Sequence, residues 1–237
     1  MSEAENPAST SDAEAAGAVS EADENLLSDA FCLYLWRDAW GDWSVQVIDV
    51  DEVPGADPQP RLVRVRNAPL PGLTTFATLT GSRFADVDGR VENSMDGVPV
   101  PIRCEYSCIV HTDQESDALP GLKFLLDTLY EDGTTVPAGT TGGPVFGRPA
   151  LGRTVSASHL LVVSNLFGFG HQPMRDRVLE MLQLVPITPE EEQYCADHGY
   201  AGILGAINGR LFDPSDLNRA SIVRRDAAGV WQPTIPD

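Results

Sequence analysis

The sequence predicts an α+β domain in which a mixed, mainly antiparallel sheet is flanked by helices. Three observations predict it. Apolar residues alternate, or run unbroken over strand lengths, through the middle of the chain; leucines recur at helical spacing in residues 120–130; and Thr188-Pro189-Glu190-Glu191 reads as a helix start.

Taken in order, residues 1–25 hold Ala, Ser, Glu and Asp with no aromatic, Leu, Ile or basic residue, and are expected to be a disordered acidic tail. The domain is expected to span residues 26–225, followed by a C-terminal tail over 226–237. Residues 26–39 gather Leu27, Phe31 and Tyr34 on one helical stripe and Leu26, Ala30, Leu33 and Trp36 on the next, although the unbroken run 31–36 also suits a buried strand. Val45, Val47 and residues 61–66 alternate as half-buried strands, with residues 54–60 as the turn of a hairpin or meander.

Residues 74–80 are β-branched and aromatic, a third strand, and residues 83–101 read as a polar, Gly-punctuated connection. Residues 103–111 form the next strand, with Cys104, Tyr106 and Cys108 on one face and Arg103, Glu105, Ser107 and Ile109 on the other. Leu122, Leu125, Leu126 and Leu129 make residues 120–130 a helix with Pro120 in its first turn. Residues 134–153 are short extended pieces, and 159–164 and 178–185 are buried strands. Thr188 as N-cap, Pro189 at the first helical position and Glu191 reaching back complete a capping box. Gly199 ends that helix, and a second short one turns Ile203, Leu204 and Ile207 inward.

With 237 residues the chain is long enough to bury a core without staples. The formal charge of −19 would repel a phosphate backbone or an anionic membrane, so neither nucleic acid nor membrane is an expected partner. Eight acids lie in the first 30 residues, so the remainder still carries −11. Acids near Met1 stand where a secretory signal carries bases, and no aliphatic run approaches the roughly 20 residues of a membrane span. Cys32, Cys104, Cys108 and Cys195 lack zinc-ribbon spacing and read as buried thiols of a cytoplasmic protein.

Chemistry-bearing motifs are sparse. His111, His159, His171 and His198 are scattered, without H-E-x-x-H or another tight metal spacing, and no cofactor is expected. The Gly-rich stretches at 139–143 and 168–170 lack a complete phosphate-loop pattern, and Ser164 lacks a G-x-S-x-G elbow, so no catalytic residue is assigned. Asp86, Asp88, Glu92 and Asp96 share one connection that lacks the EF-hand spacing, and read as a solvated acidic loop.

The order of several pieces resembles the suppressor of fused domain: R-L-V-R-V-R-N-A-P-L-P-G-L-T-T-F-A-T-L-T-G-S over 61–82, R-C-E-Y over 103–106, V-L-E-M-L-Q-L-V-P-I-T-P-E-E over 178–191, and H-G-Y-A-G-I-L over 198–204. The similarity runs from about residue 26 to 223, and Arg219 and Ser221 resemble the Arg-x-Ser close of that domain. One departure lies at Thr78–Ser82, where the family's pattern has a further residue between Gly and Ser, so the local turn is expected to differ.

The resemblance implies a suppressor-of-fused-like fold and a non-enzymatic protein-binding module. In animals the family's founding member sequesters a transcription factor by clamping a peptide as an added strand, and bacterial relatives are proposed immunity proteins against toxins. The acidic charge suits a basic toxin as partner. The alternative is a small-molecule-binding protein or enzyme using the Gly-rich loops and the acidic connection. The expected partner-binding residues are Asp86, Asp88, Asp96, Arg103 and Glu105, with strand addition along 103–110; Arg103 and Glu105 match the family's Arg-x-Glu pattern, and a cross-strand structural pair is the other reading of both.

Overall fold

The computed structural model describes residues 45–49, 59–164, 171–208 and 212–234. The expected tail over 1–25, the helix or strand over 26–39 and most of the 54–60 turn lie outside the described residues. β1 (Val45–Asp49), β2 (Arg61–Arg66) and β3 (Leu73–Thr78) form the expected antiparallel meander. β3 pairs antiparallel with the long β5 (Pro99–His111). β5 is joined in parallel by β9 (Val178–Ile187), which pairs antiparallel with β7 (His159–Ser164), and β6 (Thr141–Gly142) adds to β7 as the last strand on that side. The order is β1-β2-β3-β5-β9-β7-β6, with β4 (Val91–Asn93) on β5 and β8 (His171–Pro173) on β9. One parallel pair in an otherwise antiparallel sheet, among the described strands, is the predicted mixed class.

The connection read over 83–101 is partly sheet: it holds β4 and the start of β5. Pro99 and Pro101 hid that strand in the sequence. Ile102 N–H donates to Arg90 O at 3.1 Å, so alternation turns positions 99 and 101 away from β4, and neither proline costs a bond of that ladder.

Helix α1 (Glu115–Asp132) covers one face of the sheet, packing Leu122, Leu125, Leu126 and Leu129 on Ile102, Cys104, Tyr106, Cys108 and Leu182. It begins before Pro120, which is interior rather than in the first turn. Its start is fixed instead by Glu115, whose carboxylate accepts from Arg66 Nε at 2.8 Å, Arg66 Nη2 at 2.9 Å and Thr74 Oγ1 at 2.7 Å. Those strand residues secure the first turn that the sequence reading omitted.

On the opposite face Val63, Val65, Ala77, Leu79, Leu179 and Met181 form one buried cluster. Leu161, Val163, Val185 and Ile187 form another beneath α2 (Pro189–Asn208). β9 is buried along all ten residues because both faces are covered. α2 starts with the predicted capping box: Thr188 N–H donates to Glu191 Oε2 at 2.9 Å, and Glu191 N–H to Thr188 Oγ1 at 3.3 Å. Gly199 breaks it with φ 73°, a conformation that favours glycine, and the second half buries Ile203 and Ile207. Residues 226–234 include β11 (Trp231–Pro233), which pairs with β10 (Val223–Arg225). No helix among the described residues is long and apolar enough to cross a membrane.

Candidate functional site

The residues expected to bind a partner divide by burial. Glu105 is fully buried; its carboxylate accepts from Ser82 N–H at 2.9 Å, from Gly81 N–H at 3.2 Å and from Thr78 Oγ1. It organises the short turn after β3, and a side chain at Gly81 would meet Cys104 O at 2.7 Å. The turn closes tightly because the carboxylate replaces the partners that its backbone donors would otherwise lack. Arg103 is half-buried and donates to Phe84 O at 3.0 Å, holding the next stretch of the same connection. Burial, with Arg177 nearby, lowers its pKa from the ordinary arginine value.

Asp86 is also buried, and chelates Arg90: Nη2 donates to Oδ1 at 2.7 Å and Arg90 N–H to Oδ2 at 2.9 Å. Burial alone would raise the Asp86 carboxyl, but the bonds and charge of Arg90 outweigh it and hold the group below the usual range. Arg90 also reaches Glu180 of β9 at 2.8 Å. His171 lies between Glu180, at 3.6 Å, and Glu92 of β4. Asp88 and Asp96 are exposed, with Arg175 3.8 Å from Asp96. Asp86, Arg103 and Glu105 therefore brace the connection from inside, while Asp88 and Asp96 face solvent.

Strand addition along 103–110 is closed. β9 pairs residues 102–108 on one side, and β3 pairs 107–111 on the other. Between them Thr78 Oγ1 accepts from Tyr106 N–H at 2.9 Å, so the β3 turn fills the remaining gap. β5 is interior because it is the longest and among the most apolar strands, and burial of both faces stabilises it there.

Among the described residues, β6 is an edge with no strand on its outer side. A groove between β6 and α1 is lined by Phe124, Leu125, Thr128, Val136, Thr140, Thr141, Gly142 and Leu160. Leu125 and Leu160 are its buried floor, and Phe124 stands 46% exposed as its wall. Val162 N–H donates to Thr140 O at 2.9 Å, so alternation turns the N–H and C=O of Thr141 away from β7, along the sheet edge. Tyr106 fixes the groove's far side, accepting from Val136 N–H at 2.8 Å and donating to Val136 O at 3.0 Å. Sequence reading missed this site. Its one signal was Phe124, a large apolar residue outside the inward leucine stripe of α1.

No group of three or more metal-ligating side chains is arranged to hold an ion among the described residues. Ser158 Oγ lies 3.0 Å from His159 Nδ1, and His159 Nε2 lies 3.4 Å from Glu192, but Ser158 and His159 are sequence neighbours and none of the three lines the groove. Ser164 N–H donates to Tyr200 Oη, and His171 is held between two carboxylates. Cys104 and Cys108 are buried free thiols, each pushed up to about 12 chiefly by burial, which keeps them unreactive.

No family model matches the chain, and no curated protein matches it. Solved structures do. A putative suppressor of fused homologue from Neisseria gonorrhoeae aligns with a TM-score of 0.62 at 16% identity, covering 87% of this chain and 99% of that one. A chain of the Sufu–Fu complex aligns with a TM-score of 0.57 at 13% identity, covering 82% of this chain and 91% of that one. The fold is suppressor-of-fused-like, as the sequence resemblance implied.

Proposed function

We propose that this suppressor-of-fused-like domain is a non-catalytic protein-binding module that sequesters a basic partner protein in the cytoplasm, as an immunity protein sequesters a toxin. The observation that carries the reading is the groove beside the open β6 edge. An extended partner segment adds to β6 through the outward N–H and C=O of Thr141, and drops an apolar side chain between Phe124 and the Leu125–Leu160 floor. Backbone bonds supply affinity and the pocket supplies selectivity, the usual division of labour in strand addition. The charge of −19 favours a basic partner and speeds its encounter. The solved Sufu–Fu complex, a protein–protein assembly on the same fold, supports the class of partner.

The test is capture of the partner from the source cell with wild-type protein, followed by reconstitution with the purified partner. Phe124→Ser is expected to weaken that purified complex by more than tenfold with an unchanged melting temperature. An unweakened Phe124→Ser complex removes the groove from the account. Substrate turnover that is lost in Ser158→Ala or His171→Ala replaces the binding module with an enzyme.

A further inference from the structure

A second open edge lies at the β4 hairpin, outside the groove and independent of it. β4 pairs with β5 alone among the described strands, and all three of its residues are exposed. Arg90 O accepts from Ile102 N–H at 3.1 Å and Ser94 N–H donates to Val98 O at 2.8 Å, so positions 90 and 94 face β5. Alternation then turns the N–H and C=O of Val91 and Asn93 outward, which gives two donors and two acceptors at strand spacing.

The side chains around this edge are apolar where a solvated loop would be polar. Val87, Val91, Met95 and Val98 are 48%, 64%, 71% and 57% exposed, four large apolar residues within twelve positions. Scattered exposed valines are ordinary; four large apolar residues gathered around a strand with one unpaired edge mark a contact surface. The hairpin is also held in place before any partner arrives. Asp86 and Glu180 clamp Arg90, Glu92 is held by His171, and Met95 N–H donates to Met174 O at 3.1 Å. A held edge forfeits little ordering entropy on binding.

Charge selects the occupant. Asp88 and Asp96 stand exposed on either side of the strand, Asp96 with Arg175 at 3.8 Å in a fully hydrated pair that an incoming base can replace, and a second copy of a chain carrying −19 is repelled from it. We propose that the β4 edge is a second docking surface, which takes an extended protein segment of apolar residues alternating with Arg or Lys. Its apolar side chains meet Val91, Met95 and Val98, and its bases meet Asp88 and Asp96. Two edges on one domain then let it hold a basic partner at two points, which raises avidity without a larger interface.

The experiment titrates the isotopically labelled full chain with two synthetic nine-residue peptides, one alternating Val with Arg and one alternating Val with Glu, and follows the backbone amides. The Val/Arg peptide is expected to shift and protect the amides of Val91 and Asn93, and the Val/Glu peptide to leave them unmoved. The pair Val91→Ser and Met95→Ser, and separately the pair Asp88→Lys and Asp96→Lys, are expected to weaken the Val/Arg peptide about tenfold each. Phe124→Ser is expected to leave its effect on the β4 amides unchanged. No response over residues 91–98 up to millimolar peptide overturns the proposal, as does equal binding of the acidic peptide or indifference to the serine pair. A response confined to 139–142 also overturns it while leaving the β6 groove standing, so the two surfaces are judged separately.

Discussion

The guanidinium of Arg219 grips the carboxylate of Glu191 edge-on, Nη1 to Oε1 at 2.6 Å and Nη2 to Oε2 at 2.7 Å, with both side chains buried. Glu191 is the capping-box acid of α2, and it also accepts from Ile222 N–H at 2.8 Å. Arg219 further donates to Pro186 O at 2.8 Å and lies 4.9 Å from the Phe212 ring. One pair therefore fastens the C-terminal segment to the end of β9 and the start of α2. Removing Arg219 leaves a buried charge without its partner, so Arg219→Met is expected to cost about 3–5 kcal/mol, and the double change with Glu191→Met to recover only part of it, because Thr188 N–H and Ile222 N–H then lose their acceptor. Urea unfolding of the two variants checks this.

Thr188→Ala removes only the hydroxyl that accepts from Glu191 N–H, and is expected to cost about 1 kcal/mol. An unchanged midpoint in denaturant means that Pro189 and the Arg219 pair already fix the helix start.

Glu105→Gln keeps the shape of the buried side chain but loses the charge that draws three donors, and one amide –NH₂ then faces N–H groups. The expected cost is about 1–3 kcal/mol. Hydrogen exchange resolves where it falls: the amides of Gly81 and Ser82 are expected to lose protection while those of β9 keep theirs.

Acid weakens the sheet-to-helix joint at Glu115. The Arg66 bonds hold that carboxyl below its ordinary value, so its contribution is complete above the unfolded value near 4.5 and is lost as pH falls through the lower folded one. His111 runs the other way. Asp213 raises its pKa, so that contribution is present below the ordinary value of 6.5 and is lost as pH rises through the folded one. Thermal melts from pH 2.5 to 8 are expected to lose part of their acid sensitivity in Glu115→Gln, the rest belonging to Asp86, Asp176 and Asp216, and part of any decline above neutrality in His111→Gln.

Much of this was legible from local pattern. β7 and the capping box follow from runs of apolar residues and from residue chemistry within four positions. What escaped was set by distance. Glu115 starts α1 through Arg66, 49 positions away, so Pro120 misled the reading of the helix start. β4 and the head of β5 are built from exposed residues and prolines that resemble a loop until their partners are in place. The interior place of β5 depends on β9, more than 70 residues on, and this closed the edge along 103–110 that the alternation of 103–111 had suggested. Asp86 illustrates the same limit within the expected site: an acid in a polar connection reads as solvated, yet Arg90, one helical turn later and itself anchored by Glu180 across the sheet, draws it inside.

A partner protein that adds a strand at β6 leaves its mark on the amides of that edge, and hydrogen exchange on the complex with the captured and purified partner reads it. The amide of Thr141 is expected to slow by at least about tenfold on binding, with Val136 and Thr140 following, and Phe124→Ser, which weakens the complex, is expected to reduce that slowing at the same partner concentration. A complex of full affinity in which the exchange of residues 136–142 is unchanged contradicts the account.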